Sequence, residues 1–174
     1  PKLFTVEKLN AWNKLSESFK SAPEVETVVS IKDLQKLVKD TDKEQFKLEP
    51  FIKDSIQSIA QIETLQDELF NKYPFYDNFL FNKESKTVRT AIYLKKDIVN
   101  TPARKDFVLN NLEEKIKEFE SLNDMQVRVS GMPYIRTLNA QNIVDEINLF
   151  VLAALLVTSV IFFFFFRSFR ATII

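Results

Sequence analysis

The sequence predicts an α+β domain followed by one membrane-spanning helix. Two observations carry this prediction. Segments of helical and of two-residue hydrophobic periodicity alternate upstream of Gly131, and an uncharged apolar run follows from Leu149 to Phe166. We therefore expect four regions: an extracytoplasmic α+β domain over 1–132, an amphipathic connecting helix over 133–148, a transmembrane helix over 149–166, and a cytoplasmic turn with the start of a next span over 167–174.

The apolar run has the length and composition of a transmembrane helix. Its only polar side chains are Thr158 and Ser159, and a helix of this length covers nearly the ~30 Å core of a bilayer. A buried core helix normally shows one polar face, whereas this run is apolar all round. A signal peptide lies at the N-terminus, whereas this run lies near the C-terminal end of the sequence.

Charged residues flank the apolar run unequally. Asp145 and Glu146 precede it, and Arg167 and Arg170 follow it. Because cationic residues beside a span favour the cytoplasmic side, the two arginines are predicted topology anchors and the domain is predicted to lie outside the cytoplasm. The chain begins at Pro1, without a start Met or an N-terminal apolar segment. We therefore expect a piece of a longer protein that has an earlier span or signal.

The composition argues against several classes of function. The 24 basic and 24 acidic residues balance, whereas a nucleic-acid surface needs a basic excess on one face. The chain contains no Cys and no His, which removes thiol nucleophiles, zinc–thiolate sites and histidine-based triads. The acidic residues form no evident pair. We therefore expect no enzyme activity and no catalytic, cofactor-binding or metal site.

The first predicted elements are a helix and a strand. Thr5 is a suitable cap for a helix that runs to about Phe19, with Trp12 on its apolar stripe and therefore in the core. The β-branched segment from Val25 to Ile31 predicts a strand. Its alternation places four residues on the buried face: Val25, Thr27, Val29 and Ile31.

The next stretch is less regular. Leu34, Leu37 and Val38 indicate a short helix, and the alternating charges over 39–44 predict an exposed connection. Pro50 then opens a predicted helix to about Asn71. Its apolar seam packs either on the core or on a partner helix, and consists of Ile52, Ile56, Ile59, Ile62, Leu65 and Leu69.

An aromatic group follows this helix: Tyr73, Phe75, Tyr76, Phe79 and Phe81. The group either lines an apolar groove or forms a corner folded onto the core. Two strands are predicted over 79–81 and 87–94. A helix with Thr101 as cap and Pro102 in its first turn then runs to about Glu120, and a last strand is predicted from Met125 to Ser130.

The only glycine, Gly131, stands two residues before Pro133, between the last predicted strand and the connecting helix. Glycine permits positive φ, and proline fixes its own φ and restricts the residue before it. We therefore predict a hinge at Gly131 and Pro133, above a helix that begins near Ile135 and continues unbroken into the apolar run. The alternative is an ordinary turn at the start of a helix.

Taken in order, the elements are helix, strand, insertion, strand, helix and strand. With one further strand ahead of Pro1, this becomes the β-α-β-β-α-β order of the ferredoxin-like split βαβ fold, in which two helices cover one face of an antiparallel sheet. The helix over 50–71 and the strand over 79–81 then form a helical and hairpin insertion between the second and third strands.

The C-terminal segments resemble a known family. They read Gly131-Met132-Pro133-Tyr134-Ile135-Arg136, an amphipathic helix with acids at Asp145 and Glu146, and a span closing in Phe166-Arg167-Ser168-Phe169-Arg170-Ala171. This pattern resembles the resistance-nodulation-division (RND) exporter superfamily. It is similar in particular to the predicted-exporter branch related to the large mycobacterial lipid exporters and to Patched-like proteins. Residues 5–9 and 24–30 resemble the first porter helix and the following strand of that family.

The resemblance implies a periplasmic porter domain and the second span of a multi-pass exporter in the bacterial inner membrane. Such a protein moves lipid-like or amphipathic substrates with a proton or cation gradient. The implied partners are the bilayer, the remaining spans and second porter domain of the same protein, and a hydrophobic substrate, with a homo-oligomer as one option. The family's ion-coupling acids lie in later spans. The alternative, from another class, is an extracytoplasmic sensor or adhesion domain on a single-pass anchor.

Overall fold

The structure, a computed structural model, describes residues 3–40, 45–73 and 76–166. Its mixture of helices and small antiparallel sheets, with a long apolar helix at the C-terminal end, confirms the predicted α+β class. The chain divides into two compact units, Pro1–Arg128 and Val129–Ile174, which are described in turn.

The first unit contains short strands and helices in alternation. In chain order they are α1 (Val6–Lys20), β1 (Val25–Val29), a 3-10 turn (Ile31–Asp33), β2 (Gln35–Asp40), β3 (Gln45–Pro50), α2 (Ile59–Asp67) with a π-helical turn (Glu68–Lys72), β4 (Phe81–Asn82), β5 (Thr87–Val88), β6 (Ala91–Leu94), and a helix made of α3 (Pro102–Asp106), a second π-helical turn (Phe107–Leu112) and α4 (Glu113–Asn123). The second unit contains α5 (Met132–Phe166).

Helix α1 forms where the periodicity predicts it. The backbone N–H of Lys8 donates to the Thr5 hydroxyl at 3.3 Å, which satisfies one of the free donors of the first turn. The helix packs against β1 and α4. The Trp12 ring meets the Phe119 ring of α4 edge to face, with 5.6 Å between the centroids. This contact confirms that Trp12 is a packing residue.

Strand β1 pairs antiparallel with β6, but the predicted buried face is only partly correct. Val25 opposes Leu94 and Thr27 opposes Tyr93, so β1 carries one extra residue at this point. Such a bulge resets the two-residue alternation, because every later side chain moves to the other face. As a result Val28 is buried, whereas Thr27 is exposed and Val29 is only half-buried.

Strands β2 and β3 replace the short helix expected near Leu34. They form an antiparallel hairpin whose register runs from Gln35 opposite Pro50 to Asp40 opposite Gln45. The helix prediction is wrong because the spacing of a few leucines also fits a strand, and the pairing segment lies further along the chain. The predicted connection over 39–44 is mostly outside the described residues, which omit 41–44.

Helix α2 starts nine residues after the predicted beginning at Pro50. Pro50 is the last residue of β3, and the helix begins behind Ser58, whose hydroxyl accepts a hydrogen bond from the Gln61 N–H at 3.3 Å. The intervening segment is not helical, yet it still reaches the core. The seam residues other than Ile59 are buried, which confirms the core alternative for Ile52, Ile56, Ile62, Leu65 and Leu69.

The predicted strand over 87–94 is divided between two sheets. Its first part, β5, pairs with β4, and its last part, β6, pairs with β1. Between them the Thr90 hydroxyl hydrogen-bonds to the Ser16 hydroxyl of α1, with 2.9 Å between the oxygens. Periodicity did not reveal the division because each part alternates in the same way.

The helix from Pro102 to Asn123 follows the prediction, except that the Thr101 hydroxyl donates to the Ile98 carbonyl at 2.9 Å and caps no helical N–H. On its surface Lys117 forms an ion pair with Glu113, one turn earlier, at 3.2 Å.

The strand predicted from Met125 to Ser130 is not found. Residues 125–130 join no sheet in the described part of the chain, and the Val127 N–H donates to the Glu120 carboxylate at 2.6 Å. The prediction is wrong because a side chain takes the place of a neighbouring strand here.

One core joins the insertion to the rest of the first unit. Its buried members come from α1, the 3-10 turn, the non-helical segment after β3, α2 and the region of β4: Leu9, Ile31, Leu34, Ile52, Ile56, Ile62, Leu65, Leu69, Leu80 and Phe81. Helix α2 and the segment after β3 are therefore part of the same folded body as α1.

Candidate membrane span and its N-terminal turn

Helix α5 is long and apolar enough to cross a membrane. It is one unbroken helix of 35 residues, which corresponds to about 52 Å. None of its most apolar window is buried within the described residues. Leu149, Phe164 and Phe165 expose 72%, 75% and 83% of their surfaces. This exposure separates α5 from the core helix of a soluble protein, which hides its apolar side chains.

The apolar part of α5 matches the bilayer core in length. Residues 149–166 span about 27 Å of helix, against a hydrocarbon thickness of about 30 Å. A helix satisfies all of its interior backbone groups by itself, which the bilayer requires. No ionisable residue lies between Leu149 and Phe166, so this span contains no proton relay. The predicted topology anchors Arg167 and Arg170 lie outside the described residues.

Gly131 has a left-handed backbone immediately before α5. Its φ is +126°, a value that side chains other than that of glycine rarely adopt. The Ile135 N–H donates to the Gly131 carbonyl at 3.0 Å, which makes this the first hydrogen bond of the helix. Helix α5 therefore begins at Met132, three residues before the expected start near Ile135.

Pro133 is the second residue of α5. At this position the N–H that proline lacks has no helical acceptor, so its ring favours the helix start without removing a helical hydrogen bond. The Thr137 hydroxyl donates to the Pro133 carbonyl at 2.8 Å. A Cβ atom at Gly131 would meet no heavy atom closer than Pro133 Cδ at 4.0 Å. Any side chain there is therefore opposed by the backbone conformation and not by a clash.

The connecting part of α5 is amphipathic, in the pattern predicted. Ile143, Val144 and Ile147 are all exposed and show 56%, 48% and 55% of their surfaces. On the polar side, the Gln141 amide donates to the Asp145 carboxylate at 3.1 Å, one turn further along. An apolar strip of this kind, above the run that matches the bilayer core, favours contact with another apolar surface.

The structure places the predicted aromatic group in three different environments. Phe81 is fully buried and meets the Phe70 ring at 5.4 Å. Tyr73 and Tyr76 both contact the Phe51 ring, at 5.0 and 6.5 Å between centroids. Phe79 exposes 54% of its surface, and Phe75 lies outside the described residues. The described members therefore do not line one common groove.

The structure also contains a cleft that the sequence did not indicate. The Phe51 ring, which contacts Tyr73 and Tyr76, is part of its wall. The cleft is open, has a volume of ≈ 570 Å³ and lies between the β2–β3 hairpin, the segment after β3 and α2. Its walls include a half-buried ion pair between Lys36 and Glu68, 2.8 Å apart. The sequence did not indicate this cleft because its periodicity predicted a helix over residues 50–58. In the structure these residues are not helical, and several of them form one wall of the cleft.

A group of charged side chains at the end of α1 and in the 3-10 turn has a structural role. Burial disfavours the ionised form of Asp33, but hydrogen bonds from Lys20 and Ser30 outweigh it and hold the pKa of this carboxyl below its usual range. Burial likewise works against the Lys20 ammonium, yet its hydrogen bonds to Asp33 and Glu17 raise the pKa of Lys20. These groups join the end of α1 to the 3-10 turn, so they have a structural role.

No protein-family model, no curated protein and no solved structure matches this chain. The functional argument therefore depends on the residues themselves. They provide a small α+β domain, a glycine whose φ is positive, and one helix long and apolar enough to cross a membrane.

Proposed function

We propose that this chain is part of an RND-type exporter in a bacterial inner membrane. It contributes a periplasmic porter-type domain and the transmembrane helix that follows it. The substrates are lipid-like or amphipathic molecules, and the driving force is a proton or cation gradient. The observation that carries the proposal is α5, an unbroken apolar helix with exposed side chains that starts directly behind Gly131.

The folded domain supports the same proposal. Strands β1 and β6 form an antiparallel pair, and α1 packs against both β1 and α4. One antiparallel strand pair with a helix packed on it is one part of the split βαβ pattern expected for a porter lobe, and the described strands form two-stranded sheets only. Under this proposal the coupling chemistry lies in other helices of the parent protein, because an intramembrane relay needs ionisable side chains and residues 149–166 contain none.

The connecting helix favours an exporter over a single-pass sensor or adhesion protein. Ile143, Val144 and Ile147 are exposed on the stretch that precedes the bilayer-matched run. In a multi-span protein, neighbouring helices or a second domain cover such a strip. A lone anchor leaves it in water, where exposed apolar area is unfavourable.

The topology can be tested with single cysteines, because the chain contains none. Glu84→Cys places a thiol on an exposed turn of the domain, and Ser168→Cys places one beyond the span. In intact spheroplasts, a membrane-impermeant maleimide should label the first variant and reach the second only after permeabilisation. The reverse pattern, or labelling of both variants in intact spheroplasts, would contradict the proposed orientation.

Transport itself is tested on the parent protein. A strain lacking the parent gene should accumulate a hydrophobic dye or a cell-envelope lipid, and the wild-type gene should restore export. Collapsing the ion gradient with an uncoupler should abolish the restored export. A sensor would instead leave accumulation unchanged in both strains and alter gene expression, which would favour the alternative.

A further inference from the structure

One face of the β2–β3 hairpin is apolar and exposed. Leu37 lies directly opposite Leu48 in the register, and Phe46 lies two residues before Leu48, on the same side of its strand. Leu37, Leu48 and Phe46 expose 58%, 63% and 67% of their surfaces. Large apolar side chains gathered on one exposed face indicate an interaction surface, whereas single scattered ones do not.

The outer edge of β3 is open as well. Strands β2 and β3 form a two-stranded sheet, so no described strand lies on the outer side of β3. At the base of the hairpin the Phe51 N–H donates to the Leu34 carbonyl at 3.0 Å. Because bonded positions alternate along an antiparallel pair, the backbone groups of Phe46 and Leu48 point away from β2. Such an edge is a template for pairing with another strand.

The outer edge of β2 is less accessible than that of β3. Near its start the Tyr76 hydroxyl donates to the Gln35 carbonyl at 3.2 Å, and this carbonyl is one of the groups that point away from β3. Neither Phe46 nor Leu48 has such a backbone partner among the described residues. The accessible edge of the hairpin is therefore β3.

The sequence of β3 suits antiparallel pairing with a second copy of itself. Only registers that place outward-pointing residues opposite one another form hydrogen bonds across the new boundary. When Leu48 lies opposite Leu48 of the second copy, the paired stretch extends from Phe46 to Pro50. The same register places Lys47 opposite Glu49 of the second copy, and opposite charges at such positions are favourable.

The two neighbouring registers are less favourable. A shift in one direction places Lys47 opposite Lys47, and a shift in the other direction places Glu49 opposite Glu49. Like charges directly opposite each other destabilise a strand pair. The register centred on Leu48 also suits Pro50, which has no N–H, because only its carbonyl is needed to accept from the Phe46 N–H of the second copy.

Pairing in this register brings the apolar side chains of the two copies together. A two-fold axis through the new sheet keeps both apolar faces on the same side. The two Leu48 side chains become neighbours at the axis, and Phe46 lies opposite Pro50 of the second copy. Cross-strand contacts of this kind stabilise a sheet and remove apolar area from water.

We propose that β3 is a contact between two copies of this chain, which joins their hairpins edge to edge into one four-stranded antiparallel sheet centred on Leu48. Such a self-complementary two-fold contact is the commonest kind in homo-oligomers. It requires neither an ion gradient nor transport, so it can fail or succeed independently of the exporter proposal.

Disulfide trapping tests the register in the whole 174-residue chain in detergent, since the chain contains no cysteine. Lys47→Cys and Glu49→Cys are prepared with different affinity tags and oxidised separately and as a mixture. The proposed pairing places these two positions in a pair without hydrogen bonds, about 4.5 Å apart at Cα, which suits a disulfide. We expect linked dimers between the two variants in the mixture and little linkage of either variant alone. Glu84→Cys, on an exposed turn outside the hairpin, is the control and should stay unlinked.

Charge reversal tests the pairing of lysine with glutamate. Lys47→Glu alone, or Glu49→Lys alone, places like charges opposite each other and should weaken dimerisation about tenfold. An equimolar mixture of the two variants should restore dimers, because each copy then carries the charge that the other lacks. Sedimentation velocity, with micelles in excess over chains, measures the dimer fraction. Lys83→Glu, at an exposed position on a different turn, is the matched control and should leave this fraction unchanged.

Leu48→Pro tests the backbone contribution. The Leu48 N–H points away from β2, so proline removes no hydrogen bond of the hairpin but removes the central bond to the second copy. We expect this variant to be monomeric. Leu48→Ala keeps the N–H and should weaken dimerisation without abolishing it, which separates the backbone from the side chain. Trp12 fluorescence verifies folding of each variant.

Any of four results would overturn the proposal. They are a wild-type chain that stays monomeric, a dimer that is insensitive to both charge reversal and Leu48→Pro, linkage of Lys47→Cys with itself in preference to the mixture, and a monomer whose Phe46→Cys thiol is shielded from maleimide only in lipid nanodiscs. The last result would assign the apolar face of the hairpin to the bilayer. Association through α5 would produce the second result, because these variants leave that helix unchanged.

Discussion

Asn10 and Ile56 are joined by two hydrogen bonds. The Asn10 amide donates to the Ile56 carbonyl at 2.7 Å, and the Ile56 N–H donates to the Asn10 amide oxygen at 2.9 Å. One side chain of α1 thus takes the place of a neighbouring strand for a segment that is neither helix nor sheet. This fixes the segment that supplies both Ile52 and Ile56 to the core and the cleft.

Replacing Asn10 with Leu should therefore destabilise the first unit. The change leaves the Ile56 N–H and carbonyl without their partner, and each unsatisfied part-buried group costs about 1–3 kcal/mol. We expect a loss of roughly 2 kcal/mol in the free energy of unfolding, measured by urea denaturation with the single Trp12 as reporter. The control is Asn100→Leu, at an exposed position without a side-chain partner among the described residues. Equal stability of the two variants would contradict the bridging role of Asn10.

Two phenylalanines provide a matched test of the core. Phe119 is buried and touches Trp12, whereas Phe79 is exposed. Phe119→Ala should cost about 3–5 kcal/mol and shift the Trp12 emission to longer wavelength, because it removes packing and admits water. Phe79→Ala should change the stability by less than about 0.5 kcal/mol and leave the emission unchanged. A comparable loss in both variants would show that the assigned burial is incorrect.

The Asp33 carboxylate should make stability depend on acid pH. It accepts hydrogen bonds from the Ser30 N–H and hydroxyl at 2.8 and 2.7 Å and from Lys20 at 2.6 Å. Because its pKa is lowered in the folded state, its contribution is complete above the unfolded pKa of about 3.9 and is lost as pH falls through the folded pKa.

Asp33→Asn should consequently be less stable than wild type near neutral pH, and the difference should shrink as the pH falls below about 4. Urea midpoints measured across this range provide the test, with Asp97→Asn as a control that keeps the wild-type pH dependence. A stability difference that does not change with pH would exclude the charge as the cause.

Gly131→Val should impair export by the parent protein without preventing membrane insertion. A β-branched residue at the observed positive φ costs roughly 1–3 kcal/mol of backbone strain, and the strain can be relieved by moving the start of α5. The assays are export by the complemented deletion strain and carbonate extraction of the membranes. Ser130→Val, at the adjacent exposed position, is the matched control. Unchanged export in the Gly131 variant would remove the hinge from the proposed mechanism.

Local signals predicted some elements well. Helix α1, the helix after Thr101 and the continuous α5 all appear where periodicity places them, and the predicted Thr5 cap of α1 is present. A helix makes its backbone hydrogen bonds with residues four positions away, so its signal is contained in a short stretch of sequence. Gly131 was also identified as a special backbone position, although its φ became known only from the structure.

Other elements depend on distant partners and were predicted poorly. The β2–β3 hairpin and the division of residues 87–94 between two sheets require knowledge of which strand lies alongside. Residues 125–130 alternate like a strand, but the Glu120 side chain binds the Val127 N–H. Asn10 similarly holds the segment at Ile56 out of a helix, despite its helical spacing of isoleucines.

The amino-acid sequence alone determined the α+β class, the main helices and the apolar run, because each follows from the properties of neighbouring residues. Only the tertiary structure decided which isoleucines reach the core, where the bulge in β1 reverses the buried face, and that three separate segments line an open cleft. These features arise from contacts between residues far apart in the chain, and such contacts leave no periodic signal in any one segment.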